Sequence, residues 1–317
     1  MKALTVPPAL TDAAAARLEG KLLGDDAYDI LLGAESTTVR TPAGDLLLVY
    51  VKGAVPVALA RTAARALRGA ATPTDNRMQA AGDPGFGEVP TGAVRSGRVM
   101  RNNILKDGTQ SRTDRSKAVH SGIVGYFDRT TRHPFCRQTA FNQQHLQRFK
   151  TALPFIQAVN GVFCRAAPDH WRVQGGKAFQ TPPDWIIPST VFSTVTVNKN
   201  WQTAVHKDHG DLPDGLGVMA AVPAGNYRGC YLCWPQYKVA VDLQAGDVVL
   251  GDVHEWHGNT PFHGVPGTYE RVSFVFYLRE RMPECLPARE ELQRVQNRQV
   301  GDPIQANVPG YRAEPRP

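Results

Sequence analysis

The spacing of apolar side chains changes character along the chain. Over the first 70 residues helical and strand periods alternate. Thr11 followed by DAAAARLEGKLLG predicts a capped helix ending at Gly24, and Ser36 to Val51 predicts two strands about a Pro42-Ala43-Gly44 turn. Pro56 opens a second helix, in which Val57, Leu59, Ala60, Ala63, Ala64 and Leu67 recur at helical spacing before a stop at Gly69. Residues 70–122 are rich in Gly, Arg, Asn and Ser with little periodicity, the pattern of a long functional or flexible loop. Asn142 predicts the cap of a helix reaching about Cys164, with Leu146, Phe149, Leu153, Ile156 and Val159 on one face and a kink at Pro154.

From about Val191 the period becomes two. Val191–Val197, Gly217–Val222, Gly229–Trp234, Tyr237–Leu243, Asp247–Val253 and Arg271–Leu278 are short β-branched or aromatic runs separated by Gly, Pro, Asn and Asp. Short strands without intervening helices predict an antiparallel double-sheet barrel of the jelly-roll kind. The fold class is therefore α+β, mainly β, with an N-terminal α/β cap and flanking helices. The expected division places a mixed α/β extension at 1–95, packed on the core, and the barrel at 96–317, with a short helix from Ala288 to Asn297 in its tail.

Composition adds three constraints. A chain of 317 residues with 42% hydrophobic content can bury a sizeable single core. It carries no apolar run near the roughly 18 residues that span a bilayer and no secretory leader pattern, so a cytoplasmic protein is expected. Five cysteines make an odd count, so no disulfide framework is expected and the thiols are read as reduced. Cys230-x-x-Cys233 has no second pair nearby and reads as a strand entering a proline, not a structural zinc site.

Charge is unevenly distributed beneath the net +7. Residues 1–50 carry four basic and seven acidic side chains, whereas 95–132 carry nine basic against three acidic. That second segment, with Arg112, Arg115 and Lys117 at its centre, is a candidate surface for a polyanion, since basic stretches attract phosphates through counterion release. The bland alternative is a solvated loop.

The chemistry gathers in the β region. His206-Lys207-Asp208 lies on or just after a strand, where residues two apart face the same side, so an imidazole and a carboxylate can converge on one metal. AGDVVLGDVHEWHGN offers His254 or His257 as a third ligand. Two histidines and one carboxylate on one face leave three positions open, the arrangement of non-haem Fe(II) oxygenases. Arg271 opens the strand RVSFVFYL, and a guanidinium inside a barrel calls for a carboxylate partner. Ser273, two residues on, shares its face.

HKDHGD, HEWHGNTPF and ERVSFVFYLRERM together resemble the signature blocks of the TET and base-J-binding-protein oxygenases, which oxidise the 5-methyl group of pyrimidines in DNA, and especially their phage members. The resemblance covers about residues 191–282, with a weaker match at GYFDR and CRQTAFN. It implies a double-stranded β-helix core, Fe(II) on His206, Asp208 and His257, 2-oxoglutarate on Arg271 with Ser273 assisting, and O2 as the oxidant. It also selects His257 over His254. Asp211 matches the residue that contacts the polar edge of the flipped base, and Arg279 stands where the TET branch has a base-contacting histidine.

A methyl group inside a duplex cannot reach buried iron, so the expected partner is DNA with its target nucleotide flipped out. No membrane and no stable protein partner are implied. Arg137, Thr139 and Asn142 are further candidates for the DNA cleft. The leading substrate is 5-methylcytosine, converted to 5-hydroxymethylcytosine and open to further oxidation, with thymine in DNA as the nearest alternative. The two competing readings are a 2-oxoglutarate oxygenase of a small molecule or protein, and a DNA-binding module on a degenerate barrel.

Overall fold

A computed structural model describes residues 1–82, 94–95, 98–99, 118–130, 133–208, 212–213 and 215–296. Its strands in chain order begin with β1 Lys2–Thr5, β2 Ile30–Leu32, β3 Thr37–Arg40, β4 Leu46–Val51, β5 Pro73–Thr74, β6 Val94–Arg95, β7 Arg98–Val99, β8 Val119–Phe127 and β9 Arg137–Gln138. They continue with β10 Thr194–Lys199, β11 Gly217–Gly225, β12 Arg228–Gly229, β13 Leu232–Trp234, β14 Val239–Val241, β15 Val248–Gly251, β16 Gly258–Asn259, β17 Phe262–His263 and β18 Tyr269–Tyr277. The helices are α1 Asp12–Ala16, α2 Val57–Leu67, α3 Ala140–Gln144, α4 Leu146–Ala166, α5 Pro168–Gln180 and α6 Ala288–Gln296.

The larger sheet runs β1-β3-β4-β15-β11-β18-β10-β8-β5, with β9 added beside β8, and the smaller runs β16-β13-β14-β2. Strands adjacent in sequence are thus distributed between two facing sheets, as the jelly-roll expectation required. The N-terminal strands extend both sheets: β4 pairs with β15 antiparallel, while β2 joins β14 in parallel. That parallel pair, and a second between β1 and β3, were not foreseen.

Strand β18 shows how sequence alternation builds the molecule. Val272, Phe274 and Phe276 point to one side and join Phe155, Phe163 and Phe192 in a core beneath α2 and α4. Phe155 meets Phe274 and Phe276 edge-on at 5.4 and 5.8 Å. The intervening Arg271, Ser273, Val275 and Tyr277 face the space between the sheets, where they line a cavity. An apolar core therefore presses one face of β18 against the helices and presents the other to the chemistry.

Several expected elements shift. Thr11 caps α1, accepting from the Ala14 amide at 3.2 Å, but the helix stops at Ala16, not Gly24. The chain then turns through Gly20, whose φ of +74° breaks the helical path. Thr139, not Asn142, caps the segment before α4. The whole of α5 and of β8 was missed. β8 lies within and beyond the stretch read as loop, its Gly122 so close to the Ala70 carbonyl that a Cβ would stand 1.9 Å away.

The cysteine reading is corrected. Cys136 and Cys285, 149 residues apart, form a disulfide with their Cα atoms 5.8 Å apart, leaving Cys164, Cys230 and Cys233 as free thiols. The pairing depends on β9 and the chain after β18 meeting in space, which spacing in sequence does not encode.

Candidate active site

The backbone builds the site before the side chains do. His206 and His257 exchange two hydrogen bonds, His206 N–H to the His257 carbonyl at 2.9 Å and His257 N–H to the His206 carbonyl at 3.0 Å. Two residues on, the Asp208 amide donates to the Val253 carbonyl at 2.9 Å. This short antiparallel ladder locks the H-x-D segment against the chain entering β16. Gly258 lets the two approach: a Cβ there would lie 3.2 Å from the Ala204 carbonyl group.

Three donor groups result, from His206, Asp208 and His257, all within 4.8 Å of one another. His206 Nε2 lies 3.4 Å from Asp208 Oδ1, and His257 Nε2 lies 3.9 Å from Oδ2. Both Nδ1 atoms are occupied elsewhere, at 2.8 Å from the Ala204 carbonyl and 3.0 Å from the Glu255 carbonyl. Engagement of each Nδ1 by these carbonyls turns each Nε2 toward Asp208, the orientation a metal requires. Burial pushes the His257 pKa down to about 4, and neighbouring His206 pushes the same way, so its imidazole is neutral and ready to coordinate. Burial disfavours charge on both His206 and Asp208, but the hydrogen bond between them outweighs it, raising the His206 pKa and holding the Asp208 carboxyl below its usual range; a metal would displace that shared proton. The donor set fits Fe(II): two imidazole nitrogens and one carboxylate, converging on one face. His254 faces elsewhere, its Nε2 3.3 Å from the Leu212 carbonyl.

Arg271 and Ser273 line the same cavity of about 290 Å3 as the three ligands. The Arg271 backbone is fixed by Asn200, whose Oδ1 accepts its N–H at 2.7 Å. Its guanidinium is buried and donates to no side chain or carbonyl among the described residues, although Tyr227 and Asp242 lie close enough to feel its charge. A cation placed there fits a carboxylate ligand.

Arg279 also reaches the cavity, but it is not free to rotate into it. Its Nε donates to Asp128 Oδ1 at 2.6 Å, and its guanidinium lies 4.1 Å from the Phe127 ring centre. Arg137 covers the same ring at 4.6 Å and donates to the Asp128 carbonyl. Phe127 is thus held between two guanidiniums, which places Arg137 in a structural stack and not on an open cleft. Thr139 and Asn142 are corrected likewise. Both are buried; Thr139 caps α3, and Asn142 Oδ1 accepts from the Gly125 amide at 2.9 Å. Arg129, counted in the basic run, pairs with buried Glu291 at 2.9 Å. Asp211, Arg112, Arg115 and Lys117 lie outside the described residues.

Arg77 and Trp201 are among the cavity residues that sequence reasoning did not assign to the site. Arg77 sits in the stretch read as loop, beside Asn76 and ahead of a short turn at Met78–Ala81. The Ala80 carbonyl accepts from the Ala204 amide at 2.9 Å, which stitches this segment to the chain just before His206. Trp201 also lines the cavity, its indole N–H buried without a partner. Neither had a spacing that could have singled it out.

A jelly roll carrying two imidazoles and a carboxylate on one face, with a buried guanidinium in the same cavity, defines the class of 2-oxoglutarate-dependent iron oxygenases. The chain belongs to the TET/JBP oxygenase family: residues 122–280 match the model of the oxygenase domain of the 2OGFeDO superfamily. It is 30% identical over 284 residues to the bifunctional helicase and thymine dioxygenase JBP2 of Trypanosoma brucei brucei, an alignment covering 88% of this chain and 23% of that protein. It is 37% identical over 201 residues to the thymine dioxygenase JBP1 of the same organism, covering 62% of this chain and 23% of that one. The chain therefore spans about a quarter of the length of these curated relatives. Among solved structures, NgTET1 in complex with 5mC DNA shares the fold with a TM-score of 0.53 at 11% identity, covering 91% of this chain and all of that one. No helix among the described residues is long and apolar enough to cross a membrane.

Proposed function

We propose that the chain hydroxylates the 5-methyl group of a pyrimidine in DNA, with Fe(II) on His206, Asp208 and His257 and 2-oxoglutarate on Arg271. The observation that carries this reading is the convergence of the three donors and the uncompensated Arg271 guanidinium in one cavity. Bound iron and 2-oxoglutarate supply the oxidation: one atom of O2 enters the methyl C–H bond and the other enters 2-oxoglutarate, which leaves as succinate and CO2.

The protein's own residues hold and orient. Arg271 anchors the remote carboxylate of 2-oxoglutarate, with the Ser273 hydroxyl on the same face of β18 as a second donor. The Nδ1 hydrogen bonds and the two-way bridge between His206 and His257 fix the imidazoles, so little reorganisation accompanies metal binding. The fold keeps the reacting centre between two sheets and away from bulk water.

Between the two bases, the relatives move thymine to the front. The proteins 30 and 37% identical to this chain are thymine dioxygenases, whereas the likeness to the 5mC-bound structure shows fold alone. 5-Methylcytosine, the first choice from sequence, is the second reading: it would present the same methyl group to the same site, and Arg279, tied to Asp128, makes no choice between the two bases.

Incubation of DNA containing thymine, cytosine and 5-methylcytosine with enzyme, Fe(II) and 2-oxoglutarate, followed by nucleoside mass analysis, tests both choices. A 16-dalton gain on thymidine is expected. A gain on 5-methyldeoxycytidine alone would restore the second reading. Turnover of 2-oxoglutarate with no gain on either nucleoside would leave an oxygenase of another substrate.

A further inference from the structure

A second guanidinium stands in the cavity without a hydrogen-bond or ion-pair partner among the described residues. Arg77 Nε is buried with no hydrogen-bond acceptor, and no ion pair joins its guanidinium to any described carboxylate. It shares the cavity lining with Asp208 of the metal site and with Tyr277 and Arg279, the ionisable groups near enough to bear on it. Its backbone is not loose, since the Ala80–Ala204 hydrogen bond holds the segment to the chain just before His206. Burial draws the guanidinium pKa down, the response of a cation that has lost water and gained too little in exchange.

Charge balance says what it awaits. With the site filled, the iron dication, Asp208, the two carboxylates of 2-oxoglutarate and Arg271 cancel. Arg279 is cancelled by Asp128, at 2.6 Å. Lys207 is turned against the Trp256 ring at 5.1 Å, beside Glu255. Among the described residues that line the cavity, Arg77 alone is left as a surplus positive charge at the metal end. A desolvated cation left unmatched is unfavourable, so this surplus calls for an anion, and one that arrives with the substrate would supply it.

We propose that Arg77 grips a phosphate flanking the target nucleotide, and so holds the extruded base over the iron. This rests on the reading that the substrate is DNA. A phosphodiester is the anion that such a substrate brings, and a guanidinium fork binds two of its oxygens at once. Arg77 is then a substrate-binding residue contributed by the segment before β8, at the opposite end of the β18 face from Arg271. The proposal differs from the basic 95–132 stretch in kind: one contact at one phosphate, not a diffuse attraction.

The test is a binding cycle on duplexes carrying the target base, with metal and 2-oxoglutarate present and O2 excluded. One duplex is unmodified; in the other, neutral methylphosphonates replace the two phosphates flanking the target. For the wild type, neutralisation should weaken binding about tenfold, and R77M should weaken binding to the unmodified duplex by a similar factor. The two losses should not add: R77M should bind the two duplexes alike. R77K, which keeps charge and loses the fork, should recover part of the loss and guards against a folding artefact. Additive losses would overturn the proposal while leaving DNA binding intact. So would a loss that falls instead on the 2-oxoglutarate KM of DNA-free turnover. A wild type with no affinity for either duplex would sink the DNA reading itself.

Discussion

In the proposed site Arg271 and Asp208 serve different cofactors, which makes the two separable at the level of single side chains. Asp208 supplies the one carboxylate of the metal trio, and its two oxygens face both imidazoles. Asp208→Ala removes an anionic ligand and leaves two buried imidazoles behind; iron measured after equilibrium dialysis should fall from one per chain to background. Stoichiometric iron in that variant would take Asp208 out of the ligand set. Arg271→Ala instead leaves the metal in place and removes a charge-assisted, forked contact to a carboxylate. The KM for 2-oxoglutarate should rise about 100-fold, corresponding to some 3 kcal/mol. An unchanged KM would transfer the anchoring role to another guanidinium of the cavity.

At the scale of elements, the geometry of the metal trio is set by how closely two backbones run. The His206–His257 bridge forms because Gly258 presents no Cβ to the Ala204 carbonyl, 3.2 Å away from where one would be. Gly258→Ala should push the two segments apart by tenths of an ångström, lower stability by about 1–2 kcal/mol in denaturant unfolding and weaken iron binding along with it. Unaltered iron affinity would show that the side chains find their places without the bridge. The same elements explain what was legible in advance. H-x-D spacing is local: residues 206 and 208 share a face on any extended chain, and the alternation of β18 separates its phenylalanines from Arg271 and Ser273. Arg77 was illegible for the opposite reason. It lies in an aperiodic polar stretch, and what makes it special is a contact between Ala80 and Ala204, over a hundred residues apart. Thr139 and Asn142 misled because polar residues near a resemblance block look like ligands, whereas their side chains satisfy buried backbone amides.

The Cys136–Cys285 bridge acts on the molecule as a whole. Its 149-residue span encloses α4, α5, β10 to β18 and every residue assigned to iron or to 2-oxoglutarate. It ties the start of β9, next to the Arg137–Phe127–Arg279 stack, to the chain leaving β18. A cross-link of so long a segment restricts the unfolded chain far more than the folded one, so it should contribute about 2–4 kcal/mol while changing little at the site. The native protein, denatured without reductant and alkylated, should take up label at three of its five cysteines. Reduction should then open all five and lower the midpoint of thermal unfolding. Label at five cysteines before reduction would mean that the two thiols stand side by side unjoined, as they would in a reducing compartment, and that packing alone holds β9 to the end of the barrel.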